Sequence, residues 1–308
     1  MVKRDKQVAI FYRPEMVAKE NKHNFSKSPT KPKLFVESLK RNFEDFDARF
    51  VLNGEFKPFT NEDFLLAHSK EYVDGFFSGV YPICESNGLS WSKQFAESVR
   101  YTNSSLYNAI KHSIKNPEQI CCSPTSGFHH AVFKHGSGFC TFSGQVIASL
   151  KIYEEFGLSG CYFDLDGHFG NSIESYRRMK GYVRKDDLNN AIPLICNVNP
   201  SGNGENYIKD LKHKFKLIKD LLISGKIQYV VWCHGADSHN EDPLGEQCNT
   251  KQWLECTQLF TEFIKDVEQK TGRPTSITTV LFGGYQKNYE NTIKLHVEDM
   301  SIIVNKLI

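Results

Sequence analysis

Short apolar runs alternate along this chain with longer stretches whose apolar residues recur at helical spacing. Six runs predict strands: Val8–Tyr12, Ile120–Cys122, Gly160–Asp164, Ile192–Cys196, Gln228–Cys233 and Ser276–Phe282. Each is bounded by polar or turn residues. Helices are predicted over about Ser90–Lys115, Phe142–Phe156, Asn206–Ser224, Lys251–Gln269 and Asn291–Ile308. A further helix starts at Thr60, with Asp63 placed as in a capping box, and runs through Phe64, Leu65, His68, Tyr72 and Phe76. This alternation predicts an α/β fold, a mostly parallel sheet with helices on both faces. Asn21–Pro32 and Asn197–Asn203 read as loops, the first a candidate pocket rim. No repeat, low-complexity tract or obvious linker interrupts the pattern.

Four predicted strands run straight into polar, metal-competent residues. In open α/β sheets, ligands sit beyond the carboxyl ends of the strands. Asp164-Leu165-Asp166-Gly167-His168 offers two carboxylates and an imidazole, a set that suits a divalent metal with an open coordination position. The competing reading is an Asp-rich turn. Asp237 follows another strand and would complete three ligands with Asp166 and His168; its competing role is a cap. Ser238 and His239 follow it, so no second Asp-x-Asp exists to bridge two metals. His129 and His130 sit in a loop after a strand and could divide base and acid work. Tyr285 follows Gly283 and Gly284, a backbone that permits close approach, and its phenol could donate to a developing oxyanion. There is no serine elbow, HExxH or P-loop.

Charge narrows the partners. The chain has 308 residues, which suits one large α/β domain or two small ones. With 38 basic and 36 acidic side chains the net charge is +2, so no bulk field favours nucleic acid or an anionic membrane. The lysines of the helix around Lys209–Lys219 read as a solvated face. Nine cysteines without a CxxC read as buried reduced thiols in a cytoplasmic protein. No run reaches transmembrane length, the N-terminus does not read as a signal peptide, and the sequons at Asn24 and Asn103 read as chance.

Taken together, the motifs resemble the zinc-dependent histone deacetylase superfamily, including acetylpolyamine amidohydrolases and bacterial deacetylase-like proteins. Phe128-His129-His130-Ala131 is similar to its paired-histidine segment. Gly138-Phe139-Cys140 resembles the stretch whose phenylalanine lines the acyl tunnel. Asp164–Asn171, Gly235-Ala236-Asp237 with Asp242-Pro243-Leu244-Gly245, and Gly283-Gly284-Tyr285 follow in the family's order. The resemblance implies a three-layer arginase/deacetylase-like fold over one catalytic domain, residues 1–308. It implies one zinc on Asp166, His168 and Asp237, with His130 as general base and His129 as its electrostatic and proton-donating partner. Asp164 would orient His129 and help form a structural potassium site; Asn171 would orient His130. Tyr285 would polarise the acyl carbonyl, while Phe139, Gly138, Gly283 and Gly284 would line the substrate passage.

Some positions depart from that pattern. Phe169 replaces a second histidine, Phe128 replaces a small residue, and His234 and His239 flank Asp237. The loop Asn197–Asn206 shows no second tunnel phenylalanine. The expected activity is removal of acyl groups from acetylated lysine or acetylated polyamines. The alternatives are a two-manganese ureohydrolase of the same fold and a catalytically silent acyl-lysine binder. Oligomeric state is left open.

Overall fold

The computed structural model describes residues 2–19, 24–181 and 193–308. Seven strands are present: β1 Val8–Phe11, β2 Phe50–Asn53, β3 Cys121–Ser123, β4 Gly160–Asp164, β5 Ile195–Val198, β6 Tyr229–Gly235 and β7 Ser276–Phe282. All pair in parallel, in the order β2-β1-β3-β7-β6-β4-β5. The predicted start of β5 at Ile192 lies outside the described residues. Ten helices are described: α1 Lys31–Asn42, α2 Phe46–Arg49, α3 Asn61–Leu65, α4 Lys70–Phe77, α5 Lys93–Lys115, α6 Gly144–Phe156, α7 Ser172–Met179, α8 Glu205–Ile223, α9 Thr250–Thr271 and α10 Tyr289–Leu307.

The sheet is buried on both faces because its side chains alternate between two apolar layers. Cys161, Phe163, Val230 and Trp232 face a layer built with Phe35 of α1, Leu211 and Phe215 of α8, Trp253 and Phe260 of α9, and Met300 of α10. Tyr162, Tyr229, Val231 and Cys233 face the other, built with Phe76 of α4, Val99 and Leu106 of α5, and Ile147 of α6. The result is the expected three-layer α/β architecture. Each fully buried large apolar side chain stabilises the fold by about 1.5–3 kcal/mol. All nine cysteines are buried and unpaired.

Three local features differ from the sequence reading. The helix predicted from Thr60 is two helices, because Ser69 starts a new one by accepting a hydrogen bond from the Tyr72 amide. Strand β2 was not predicted: it lies at the sheet edge with Val51 40% and Leu52 38% exposed, so it lacks a core strand's pattern. Helix α1 begins at Lys31 with Pro32 in its first turn, inside the stretch read as loop.

Candidate active site

β3, β7, β6 and β4 are neighbours at the centre of the sheet. They are the four strands whose ends carry the predicted chemistry, so those residues meet in one place. Pairing of β4 with β6 continues past Asp164: the Leu165 amide donates to Cys233 O (2.9 Å) and the Gly235 amide to Leu165 O (3.3 Å). That extension sets Asp166 beside Asp237.

His168 Nδ1 lies 3.0 Å from Asp166 Oδ1 and 2.9 Å from Asp237 Oδ2. One ligand atom from each of the three residues lies within 4.8 Å of the others. Backbone amides hold the carboxylates from behind: Gly283 N–H donates to Asp166 Oδ2 (2.8 Å) and Gly167 N–H to Asp237 Oδ1 (3.0 Å). Gly283 is required there, since a Cβ would fall 2.3 Å from the Asp237 carboxylate. Its two backbone groups serve the carboxylate cluster, because its carbonyl accepts from Ala236 N–H and from Lys31.

The electrostatics of these three side chains bear on what they could hold. Burial, and then the Asp166 carboxylate, push the Asp237 carboxyl up to about 8. Asp166 itself is held well below the usual range; burial opposes this, but His129 and His168 outweigh it. Hydrogen bonds that His168 donates to Asp166 and Asp237 raise it to about 10. Two buried carboxylates that compete for one proton, with an imidazole between them, are a donor set that a divalent ion fits. One nitrogen and two carboxylate oxygens suit zinc with a position left open. Among the described residues one such group is found.

His129 and His130 face the same cluster from the loop after β3. The amides of Asn171 and Ser172 both donate to His129 O (2.9 and 2.8 Å), clamping that loop. Their rings are 4.0 Å apart but sit in different fields. His129 Nδ1 is 3.1 Å from Asp164 Oδ2, and its Nε2 is 3.6 Å from Asp166 Oδ1. Burial works against its charge, yet Asp166 and Asp164 together raise it to about 9. His130 Nδ1 lies 3.1 Å from Asn171 Oδ1. Burial, and then the neighbouring His129, lower it to about 4. These fields bias His129 towards its charged form and His130 towards its neutral one, and because Asn171 Oδ1 accepts from Nδ1, His130 Nε2 is left as the free base.

Tyr285 is fixed through its amide, which donates to Asp242 Oδ2 (2.6 Å). Burial, then Asp166 and Asp237, raise its phenol well above its ordinary value, so it stays a donor. Gly284, at φ +136°, makes the turn that delivers it. Phe139 lines the same cavity as His129, Asp166, Gly138, Gly283 and Tyr285. Its φ of 63° is a left-handed conformation that non-glycine residues rarely hold. Gly138 beside it leaves space for His130, whose ring would lie 2.6 Å from a Cβ.

Sequence reasoning missed three residues. The Lys31 ammonium is buried and donates to Phe282 O (2.6 Å) and Gly283 O (3.2 Å). Burial lowers it to about 8, opposed by Asp237, Asp166 and Asp242. It is the nearby positive charge from outside the four strand ends, and a lysine before a proline carries no sequence signal for that role. Asp242, which orients Tyr285, was read only as part of a motif. Phe25, in the predicted rim loop, touches both Phe139 and Tyr285. The flanking histidines lie elsewhere: His234 stacks on Trp253 at 3.8 Å, and His239 Nε2 meets Thr250 Oγ1 at 2.8 Å.

A model of the histone deacetylase domain family matches residues 25–184 of the 308. The chain belongs to that family. An uncharacterized protein of Picosynechococcus sp. is 26% identical over 255 residues, 75% of this chain and 78% of that one. Among solved structures, the HDA15 HD domain superposes with a TM-score of 0.72 at 17% identity, covering 98% of this chain and 88% of that one. At that identity the superposition shows the fold alone. The family assignment rests on the matched domain, whose span takes in the paired histidines, Phe139 and the Asp164–Asn171 segment. No described helix is long and apolar enough to cross a membrane.

Proposed function

We propose that this histone deacetylase family member is a zinc-dependent amidohydrolase that removes acetyl or related acyl groups from lysine side chains or kindred amines. The observation that carries this reading is that the Asp166–His168–Asp237 donor set meets, through Asp166, a cavity also lined by His129 and Tyr285, with the His130 ring 4.0 Å from His129 and 6.1 Å from His168. Bound zinc would supply a water of pKa about 7 and polarise the acyl carbonyl. His130, held by Asn171 and biased to the neutral form, would take the proton from an attacking water as the water's oxygen bonds to the acyl carbon. The Tyr285 phenol donates to the carbonyl oxygen as negative charge grows there. His129, held by Asp164, would stabilise that charge from the side. When the C–N bond breaks, the histidine pair returns a proton to the leaving amine, giving a carboxylate and a free amine. The ammonium of Lys31 offsets the surplus charge of Asp166 and Asp237. A potassium ion near Asp164, as the resemblance implies, belongs to the same reading. The test is an activity screen across acetyl-lysine peptides and acetylated polyamines, with bound metal measured in the same sample. Turnover with about one zinc per chain supports the proposal. Two tightly held metals, or zinc without turnover, count against it.

A further inference from the structure

The segment from Asn197 to Gly204 provides, among the described residues, no aromatic partner for Phe139. It clamps backbone instead: Asn199 Oδ1 accepts from Gly170 N–H (2.9 Å), and Asn197 Nδ2 donates to Gly170 O (3.0 Å). The second ring beside Phe139 comes from the N-terminal segment. Phe25 lies 6.1 Å from Phe139 with the ring planes 20° apart, and 5.9 Å from Tyr285. Phe139 and Tyr285 are 5.4 Å apart, so the three rings form a triangle, two of whose members line the cavity that contains His129 and Asp166. That cavity measures about 10 Å³, room for roughly one water.

A lone exposed phenylalanine needs no explanation, but this one is held in place. Asn24 Oδ1 accepts from the Ser90 amide at 2.9 Å on one side of it. On the other, Ser26 is buried, and Ser26, Ser28 and Lys31 line the cavity itself. Phe139 is fixed by its unusual backbone, and the Tyr285 backbone by Asp242. Phe25 is the member of the triangle that is 56% exposed and has solvent to move into.

We propose that Phe25 is the specificity-determining outer wall of the substrate passage, admitting slim, unbranched amine arms and rejecting branched ones. This rests on the deacylase reading. Carbon atoms in contact sit about 3.5–4.0 Å apart. With centroids 5.4–6.1 Å apart the three rings leave little room between them, so an arm that reaches the cavity there moves Phe25 outward, and each added branch requires a larger movement.

The test compares wild type with Phe25→Ala and Phe25→Trp, all zinc-loaded. Two acetylated amines are used, one with a straight methylene arm and one with the same arm carrying a methyl branch. A straight and a branched alkyl hydroxamate are measured alongside them by calorimetry. Phe25→Ala should reduce the preference for the straight arm by roughly three- to tenfold, the size of one aromatic contact. The change should appear in KM and in hydroxamate affinity, with kcat within about twofold. Phe25→Trp should retain the preference, and melting temperature should not move. A wild type that turns over no acylated amine overturns the deacylase reading, while the hydroxamate pair still decides the role of Phe25. Phe25 is excluded if Phe25→Ala leaves the straight-to-branched ratio unchanged in turnover and binding. It is equally excluded if wild type binds the two hydroxamates equally or binds neither.

Discussion

Two buried histidine–aspartate clusters flank the end of β6, and they differ in charge balance. On one side, His168 is shared by Asp166 and Asp237, with Asp164 close behind. On the other, His234 meets the single carboxylate of Asp299 at 3.1 Å. Trp232 Nε1 (3.2 Å) and Thr257 Oγ1 also donate to Asp299, so that carboxylate is fully used. His234 is further covered by the Trp253 ring. The first cluster has more carboxylate than its cations satisfy, and it opens on a cavity. The second is closed over, with three donors on its one carboxylate, and its unpartnered atom is a histidine nitrogen, His234 Nε2, not a carboxylate oxygen. Residue type alone does not make a site; surplus acceptors with access to one point do.

The most severe way to break this comparison is to remove a ligand. Asp166→Ala and His168→Ala should each lose zinc and activity together, to background, while wild type purified without added metal carries about one equivalent. Elemental analysis paired with turnover decides it. Retention of full metal content by either variant would remove that residue from the ligand set.

Next in size is a change that leaves the ligands alone. Tyr285→Phe deletes one hydroxyl and should reduce kcat by roughly 10²–10³-fold, as for other single oxyanion donors. His130→Ala should reduce kcat by roughly 10²–10⁴-fold. Both should hold zinc like wild type. Equal turnover by wild type and both variants would leave a metal-binding protein without a catalyst.

A third buried histidine sharpens the comparison, because it has no carboxylate at all. His68 Nδ1 donates to Val132 O (2.9 Å), and its Nε2 accepts from the Ser143 amide (2.9 Å). Both nitrogens are satisfied only in the neutral form, and burial lowers its pKa from 6.5 to about 4. Between those values the folded chain binds fewer protons than the unfolded one. Its contribution is therefore complete above pH 6.5 and is lost as pH falls, by about 3 kcal/mol once pH is below 4. Urea midpoints measured across this window should fall more steeply for wild type than for His68→Gln. Parallel slopes would show that His68 does not stay neutral.

The parts of this molecule that were readable from sequence are those where an apolar run ends in polar residues. Asp164–His168, His234–Asp237 and Phe282–Tyr285 each follow a buried strand, and parallel pairing does the rest. The unreadable parts depend on partners far along the chain. Lys31 reaches Phe282 across 251 positions, and nothing in the residues around Lys31 announces it. Phe25 gains meaning only from Phe139 and Tyr285. Edge strand β2 is half exposed, so the apolar pattern that marks the central strands is missing. The same limit applies to His234: it lies three residues from Asp237, yet its side chain joins the closed cluster and not the open one.

The smallest expected effect tests that last distinction. Asp299→Asn keeps shape but exchanges a carboxylate for an amide, and an amide cannot accept from Trp232, His234 and Thr257 through both arms. An unsatisfied buried donor costs about 1–3 kcal/mol, so the variant should unfold at lower denaturant concentration. If the second cluster is purely structural, zinc content and kcat should match wild type at temperatures where the variant is folded. Loss of metal at unchanged stability would instead tie Asp299 to the first cluster. The two sides of β6 would then be one electrostatic unit, and counting surplus carboxylates on each side separately would be the wrong account.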